Sequence, residues 1–260
     1  MRETILAQAG VAPEVGAGHV HPMIQKALDM QAEAYACDVQ DFSRSENLVL
    51  HASPDRPFFR MIGFGRGTVV STRDTFYYWC ADWFSRVEGI FCFDAPQLVE
   101  IGLAMQDFSF VLGEIFDWYL PLKVPERPFA IPAYLTIVAL ENDQVDELYR
   151  HKGLDNALTY HDPSATKMAL AAYHNDSLCA VAGANPYHED LWCIGIDVLP
   201  AYRKQGIATY LVHALTQKML EQGVIPMYPT WYSNIGSRHT ALNAGYMPVW
   251  VEIGSEPKTS

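Results

Sequence analysis

Arg203, Gly206 and Ala208, in the run Ala201-Tyr202-Arg203-Lys204-Gln205-Gly206-Ile207-Ala208, are the residues whose types and spacing most directly suggest chemistry. Two adjacent cations stand ahead of a glycine and a small residue. A loop of this kind that opens a helix leaves the first helical amides unpaired and pointing outward. At the positive end of the helix dipole such amides bind anions, phosphate above all, and Gly206 and Ala208 let the backbone approach a bulky group closely. A solvated basic loop is the plainer reading of Arg203 and Lys204 taken alone.

The elements that would position these residues can be read on both sides. Leu191 to Leu199 is a short apolar run rich in Ile, Val and Trp, which predicts a strand that stops at Pro200, a residue unable to donate to a ladder. After the loop, apolar residues recur at Ile207, Leu211, Ala214, Leu215 and Met219 with helical spacing, and Gly223 suits a helix stop. A second apolar stretch, Val224 to Trp231, is followed by Ser233-Asn234-Ile235-Gly236-Ser237, Ala241 and Ala244-Gly245-Tyr246.

The spacing R-x-x-G-x-A after a strand-ending proline resembles the pyrophosphate-binding loop of the GNAT superfamily of N-acetyltransferases, and Asn234, Ser237 and Gly245-Tyr246 resemble that family's closing motif. The resemblance covers about residues 130–254 and implies acetyl-coenzyme A as co-substrate. It implies that the main chain at Asp197, Val198 and Leu199 holds the acyl end. The loop and first helical turn, Arg203, Lys204, Gln205, Gly206, Ile207, Ala208 and Thr209, would hold the pyrophosphate, and Asn234 with Ser237 the pantetheine arm. One departure stands out. Seven residues after the Asn many members carry a Tyr that protonates the leaving thiolate, and here that position is Ala241.

Acetyl transfer from a thioester to an amine needs a neutral amine, a polarised carbonyl and a protonated leaving thiolate. The family often places a basic carboxylate early on the fourth strand, whereas the corresponding position here is close to Trp192. Glu189 and Asp190 precede it. Asp197, a charged residue inside an apolar strand, is a second candidate, with a salt-bridged or strand-end carboxylate as the alternative. Tyr232 and His239 flank the Asn234 motif as replacements for the missing acid, and a structural role is the simpler reading of each. Pro226 and Pro229 remove ladder donors from the fifth strand, which suits a strand that parts from its neighbour; a bend near an edge accounts for them equally.

The chain of 260 residues is half hydrophobic, enough for a sizeable core, and its net charge of −12 disfavours nucleic acid and suits a cationic or neutral substrate. Five cysteines without a C-x-x-C argue against a disulfide framework and a zinc site. His19 and His21 lack a third ligand nearby, so no metal is expected. No basic leader and no membrane-length apolar run is present, so a cytoplasmic protein is expected, as monomer or homodimer, with no membrane partner.

The N-terminal half reads as a helix over 22–36, strands over 46–52, 57–63 and 68–70, a helix starting at Ser71 or Thr72 and running to about Arg86, another capped by Asp94 through Met105, and an aromatic strand over 108–120. Gly63-Phe64-Gly65-Arg66-Gly67 connects strand to strand, which makes it a hairpin turn rather than a phosphate loop. Pro121, Pro125 and Pro128 mark the boundary between domains over 1–127 and 128–260. Beyond it a strand over 131–140, helices over 141–151 and 155–160, strands over 167–173 and 178–184, and a last strand over 246–253 complete the order. The fold class is thus α/β (α+β): a mixed twisted sheet with helices on both faces, a GNAT-like C-terminal domain preceded by a smaller α/β domain.

The expected activity is N-acetyl transfer to a primary amine of a small molecule. The alternatives are a protein or peptide N-acetyltransferase and an acyl-coenzyme A sensor without turnover, which Ala241 favours.

Overall fold

A computed structural model describes residues 20–123 and 130–258. The protein divides into two compact units, one made of Met1–Asp117 with Val249–Ser260, the other of Trp118–Pro248. The sequence placed the boundary after residue 127 and kept the last strand with the C-terminal domain. Residues 124–129 and His19 lie outside the described residues.

In the first unit, helix α1 (Pro22–Tyr35) starts with Pro in its first turn, and the His21 ring accepts the Met23 amide at 3.3 Å. Strands β1 (Leu48–His51), β2 (Phe59–Gly63) and β3 (Thr68–Thr72) share a sheet in which β3 lies between the other two, antiparallel to β2 and parallel to β1. The glycine-rich run 63–67 therefore joins two antiparallel strands. Helix α2 covers Phe76–Phe84, a later start than expected: Ser71 and Thr72 are paired inside β3, and Asp74 with φ of 57° is in the left-handed region, so no helix can begin before it. Helix α3 (Ala95–Met105) begins after Asp94, as expected. The aromatic run 108–120 is two strands, β4 (Phe110–Leu112) and β5 (Phe116–Leu120). Phe58, Phe59, Phe76, Trp83, Phe84, Ile101 and Met105 are buried together with Ile253 in this unit's core.

In the second unit the sheet order is β5-β10-β9-β8-β7-β6, with β6 (Thr136–Glu141), β7 (Met168–His174), β8 (Ser177–Pro186), β9 (Leu191–Val198) and β10 (Ile225–Trp231). Strands β6 to β9 are antiparallel neighbours, and Asn175 and Asp176, both at positive φ (47° and 61°), form the tight turn between β7 and β8. Helix α4 (Ile207–Glu221) follows β9 and helix α5 (Ile235–Asn243) follows β10; β11 (Met247–Pro257) comes next and belongs to the first unit from Val249 on. Ile207, Leu211, Leu215 and Met219, the stripe read from the sequence, are buried with Ala180, Ala182, Ile194, Tyr228 and Ala241.

Two expected helices differ. Asn142–Arg150 is a 3-10 helix, with Asn142 itself at φ 50°. Residues 155–160 form turns, because the sheet holds them in another shape. The amides of Asn156 and Ala157 donate to Asp197 at 2.8 and 2.9 Å, and their carbonyls lie where β-carbons on Gly195 and Gly183 would stand, at 1.6 and 1.9 Å. Gly183 and Gly195 are register partners on adjacent strands, so this pair of glycines forms the floor on which the segment rests.

Candidate active site

Strands β9 and β10 run parallel, paired at Leu191–Ile225, Trp192–Pro226 and Cys193–Met227. Past Cys193 and Met227 no further pair joins them among the described residues, although both strands continue, to Val198 and Trp231. The next residue but one on β10 is Pro229, which has no amide to offer a ladder. The result is a wedge between two strands of one sheet, closed at Cys193 and opening toward the loop at 199–206.

The other neighbour of β9 tells which amides face the wedge. Leu199 donates its N–H to Cys179 O at 2.8 Å, continuing the antiparallel ladder in which Asp197 stands opposite Val181. Residues of such a ladder alternate in pointing both backbone groups toward or away from the partner. The amides of Leu199 and Asp197 are thus turned to β8, while those of Val198, Ile196 and Ile194 are turned to the wedge. Of the three main-chain positions implied by the resemblance, Val198 alone presents its amide there; Ile194 and Ile196 were not foreseen, since a strand's register cannot be read without its neighbour.

At the wide end, Gly206 sits at φ 78°, in the left-handed region, immediately before α4, and Lys204 is also left-handed at φ 61°. A β-carbon on Gly206 would meet nothing within 4 Å, so the glycine serves the backbone turn and faces open space. Among the described residues the amides of 204–209 have no protein acceptor. Helix α4 has no acidic residue in its first turn, although the protein carries a net charge of −12. Arg203 donates Nε to Val198 O at 2.9 Å, tying the loop to the strand end, and the Tyr134 hydroxyl donates to the Gln205 side-chain carbonyl. Orphan amides, a helix dipole and two cations in one place make an anion site that is open at Gly206.

Across the wedge, Asn234 caps α5 by accepting the Ser237 amide at 3.1 Å, and the Ser237 hydroxyl is 2.9 Å from the Tyr228 hydroxyl. Burial pushes the Tyr228 phenol up to about 12. Ala241 is fully buried in the same cluster and provides no proton donor. Tyr228, an aromatic in an apolar strand, gave no signal in the sequence.

The three catalytic candidates are not brought together. The Asp197 carboxylate is engaged by three donors, the two amides above and Asn156 Nδ2 at 2.6 Å, so it braces the 155–160 segment. Glu189 lies in the β8–β9 hairpin, beyond the opposite end of β9, about 20 Å away at the usual rise of a strand. Tyr232 is 61% exposed, with the Arg238 guanidinium 5.4 Å from its ring centroid and Arg238 Nη1 donating to its carbonyl at 3.2 Å. No helix of the described residues is long and apolar enough to cross a membrane, and no cluster of His, Cys, Asp or Glu there could hold a metal.

Part of the chain is similar to known proteins. Residues 132–246 match the model of the acetyltransferase (GNAT) family. No curated protein matches the chain. Among solved structures, a GCN5-related N-acetyltransferase-like protein of Streptococcus suis is similar at 12% identity over 59% of this chain and 66% of that one, with a TM-score of 0.46. A GCN5-related N-acetyltransferase of Sphaerobacter thermophilus is similar at 14% identity over 65% of this chain and 58% of its own, with a TM-score of 0.47. The chain thus spans less than two thirds, or about two thirds, of their lengths. A Drosophila protein is similar at 13% identity over 95% of this chain and 93% of its own, with a TM-score of 0.48. The stretch that matches the acetyltransferase (GNAT) model, residues 132–246, is a little under half of the chain. Domains of that family use acyl-coenzyme A.

Proposed function

We propose that the protein is an N-acetyltransferase that moves an acetyl group from acetyl-coenzyme A directly to a primary amine of a small molecule. The observation that supports this reading most strongly is the combination on one strand: orphan amides at 204–209 after β9, and a β9–β10 wedge that opens toward them. Bound there, the thioester supplies an activated acyl carbon; a new N–C bond forms as the C–S bond breaks, the amine loses a proton and the thiolate gains one.

The chain's own groups have separable tasks. The amides from Lys204 to Thr209, with the charges of Arg203 and Lys204, hold the pyrophosphate. The amides of Val198 and Ile196 receive the amide groups of the pantetheine arm and polarise the acyl carbonyl, and Asn234 and Ser237 bound the arm from α5. Asp197 acts at one remove, by holding the segment against the sheet. Ala241 favours the second reading, an acyl-coenzyme A sensor without turnover, because no proton donor stands at its position.

Release of free thiol from acetyl-coenzyme A, followed with a panel of amines, tests the proposal. Acceptor-dependent release is expected. Gly206→Ala, which accepts the left-handed strain of about 1 kcal/mol without adding charge, should keep activity within a few-fold. Gly206→Glu, which sets a carboxylate in front of the orphan amides, should lose it by a hundred-fold or more. Tight acetyl-coenzyme A binding with no release for any amine selects the sensor; no binding contradicts both readings.

A further inference from the structure

The loop between β9 and α4 has three side chains tied to three different parts of the second unit. The Tyr202 hydroxyl lies 3.3 Å from His174 Nδ1, at the end of β7. Arg203 Nε reaches Val198 O on β9 at 2.9 Å. The Gln205 side chain accepts from the Tyr134 hydroxyl, and Tyr134 stands just before β6, in a turn that the Leu135 amide closes on Pro132 O at 3.0 Å. The loop is therefore anchored from outside itself as well as along its own chain.

Two of the anchors also hold one another. The Tyr134 ring packs on the His174 ring with centroids 4.7 Å apart, and the Tyr202 ring meets the same imidazole edge-on at 6.0 Å. Asn175 Nδ2 is 3.2 Å from His174 Nε2. A side-chain amide nitrogen only donates, so Nε2 accepts and Nδ1 carries the proton that goes to the Tyr202 oxygen. Asn175 and Asp176 are the left-handed pair of the β7–β8 turn, which fixes where this imidazole stands.

Between the anchored residues lies Lys204, at φ 61°. A lysine keeps that conformation only where its surroundings impose it. Among the described residues no backbone hydrogen bond engages Lys204, so the side-chain anchors at 202, 203 and 205 are what hold the chain in this shape on either side of it. The shape matters because the orphan amides begin here. Amides bind one anion together only if they already converge, and a loop that must first be ordered loses affinity by the entropy of ordering it.

Resting on the acetyltransferase reading, we infer that Tyr134 and His174 are positioning residues for acyl-coenzyme A: they form a clasp that holds Gln205 and Tyr202, and with them the left-handed Lys204, so that the amides of 204–209 converge before the pyrophosphate arrives. Neither residue acts by touching the coenzyme. Tyr134 works through Gln205 and His174 through Tyr202.

The test joins calorimetry with acetyl-coenzyme A to nitrogen-15 relaxation of the free, full-length protein. Tyr134→Phe, which keeps the ring and loses the hydroxyl, and His174→Ala should each weaken acetyl-coenzyme A about five- to ten-fold and raise its KM alike in the thiol-release assay, with kcat within about two-fold and thermal unfolding within about 2 °C of the native protein. His174→Asn, whose amide N–H takes the place of Nδ1–H, should recover most of the affinity. In a Gln205→Ala background Tyr134→Phe should have no further effect. In the free native protein the amides of 204–206 should show order parameters of about 0.85, falling below about 0.6 when Tyr134→Phe and His174→Ala are combined. Unchanged affinity in both single variants, effects of Tyr134→Phe and Gln205→Ala that multiply, or a loop equally ordered without the hydroxyl and the imidazole overturns the inference while leaving acetyl transfer intact. If the native protein binds no acetyl-coenzyme A, the transferase reading fails and takes the ligand with it, and the relaxation data, which need no ligand, support or overturn the clasp by the same criterion.

Discussion

Asp197 shows how a single residue can be read correctly as unusual and still have its work elsewhere. A carboxylate inside an apolar strand demanded an explanation from the sequence, and the explanation is three hydrogen bonds from Asn156 and Ala157, 40 or 41 positions away, which no local pattern could announce. Asp197→Ala should cost about 2–3 kcal/mol in urea unfolding, because two backbone amides lose a charged acceptor, whereas Asp197→Asn should recover part of it. If Asp197→Ala removed turnover but not stability, the carboxylate would be a catalytic group after all. Gly206 was legible for the opposite reason: a small residue between a strand and a helix is a local pattern, read as room for a bulky group, and the structure adds that Gly206 takes a left-handed turn there. Tyr228 was not legible, since its hydroxyl meets Ser237 only through the packing of α5 on β10.

At the level of elements, period-two and helical patterns placed β7, β8, β9, α4 and β10 to within a few residues, and the glycine run 63–67 as a connection between strands. What failed was segments whose shape is imposed from outside. Residues 155–160 have no helix because Gly183 and Gly195 let their carbonyls rest on the sheet while Asp197 takes their amides. Gly195→Ala, with its new carbon 1.6 Å from Asn156 O, and Gly183→Ala, 1.9 Å from Ala157 O, should each destabilise the protein by about 3 kcal/mol or more, since backbone must move. Thermal unfolding of either variant within 2 °C of the native protein would refute the floor assigned to this pair. The wedge itself was half legible: Pro229 pointed to a break in pairing, but which amides it exposes depends on the β8–β9 register, fixed by Leu199 donating to Cys179.

For the molecule as a whole, burial of ionisable groups predicts its response to alkali. Cys193 is raised by burial from about 9 to about 12, and Tyr228 from 10 to about 12. Both groups keep in the folded state a proton that the unfolded chain gives up first, so their contribution is fully present below about pH 9 and is lost as pH rises toward 12. Stability should fall by up to about 1.4 kcal/mol per pH unit for each group over that window, and Cys193→Ala should lessen the fall between pH 9 and 10.5 by that amount, the thiols of Cys37, Cys80 and Cys92, which burial also raises, carrying the rest. The central claim, that an acyl-coenzyme A binds from the start of α4 into the β9–β10 wedge, is tested most directly by hydrogen exchange with and without acetyl-coenzyme A. Protection should concentrate on residues 194–198, 204–209 and 234–237, with little change in residues 20–117. Protection absent from 204–209, or strongest in the N-terminal unit, would contradict the account.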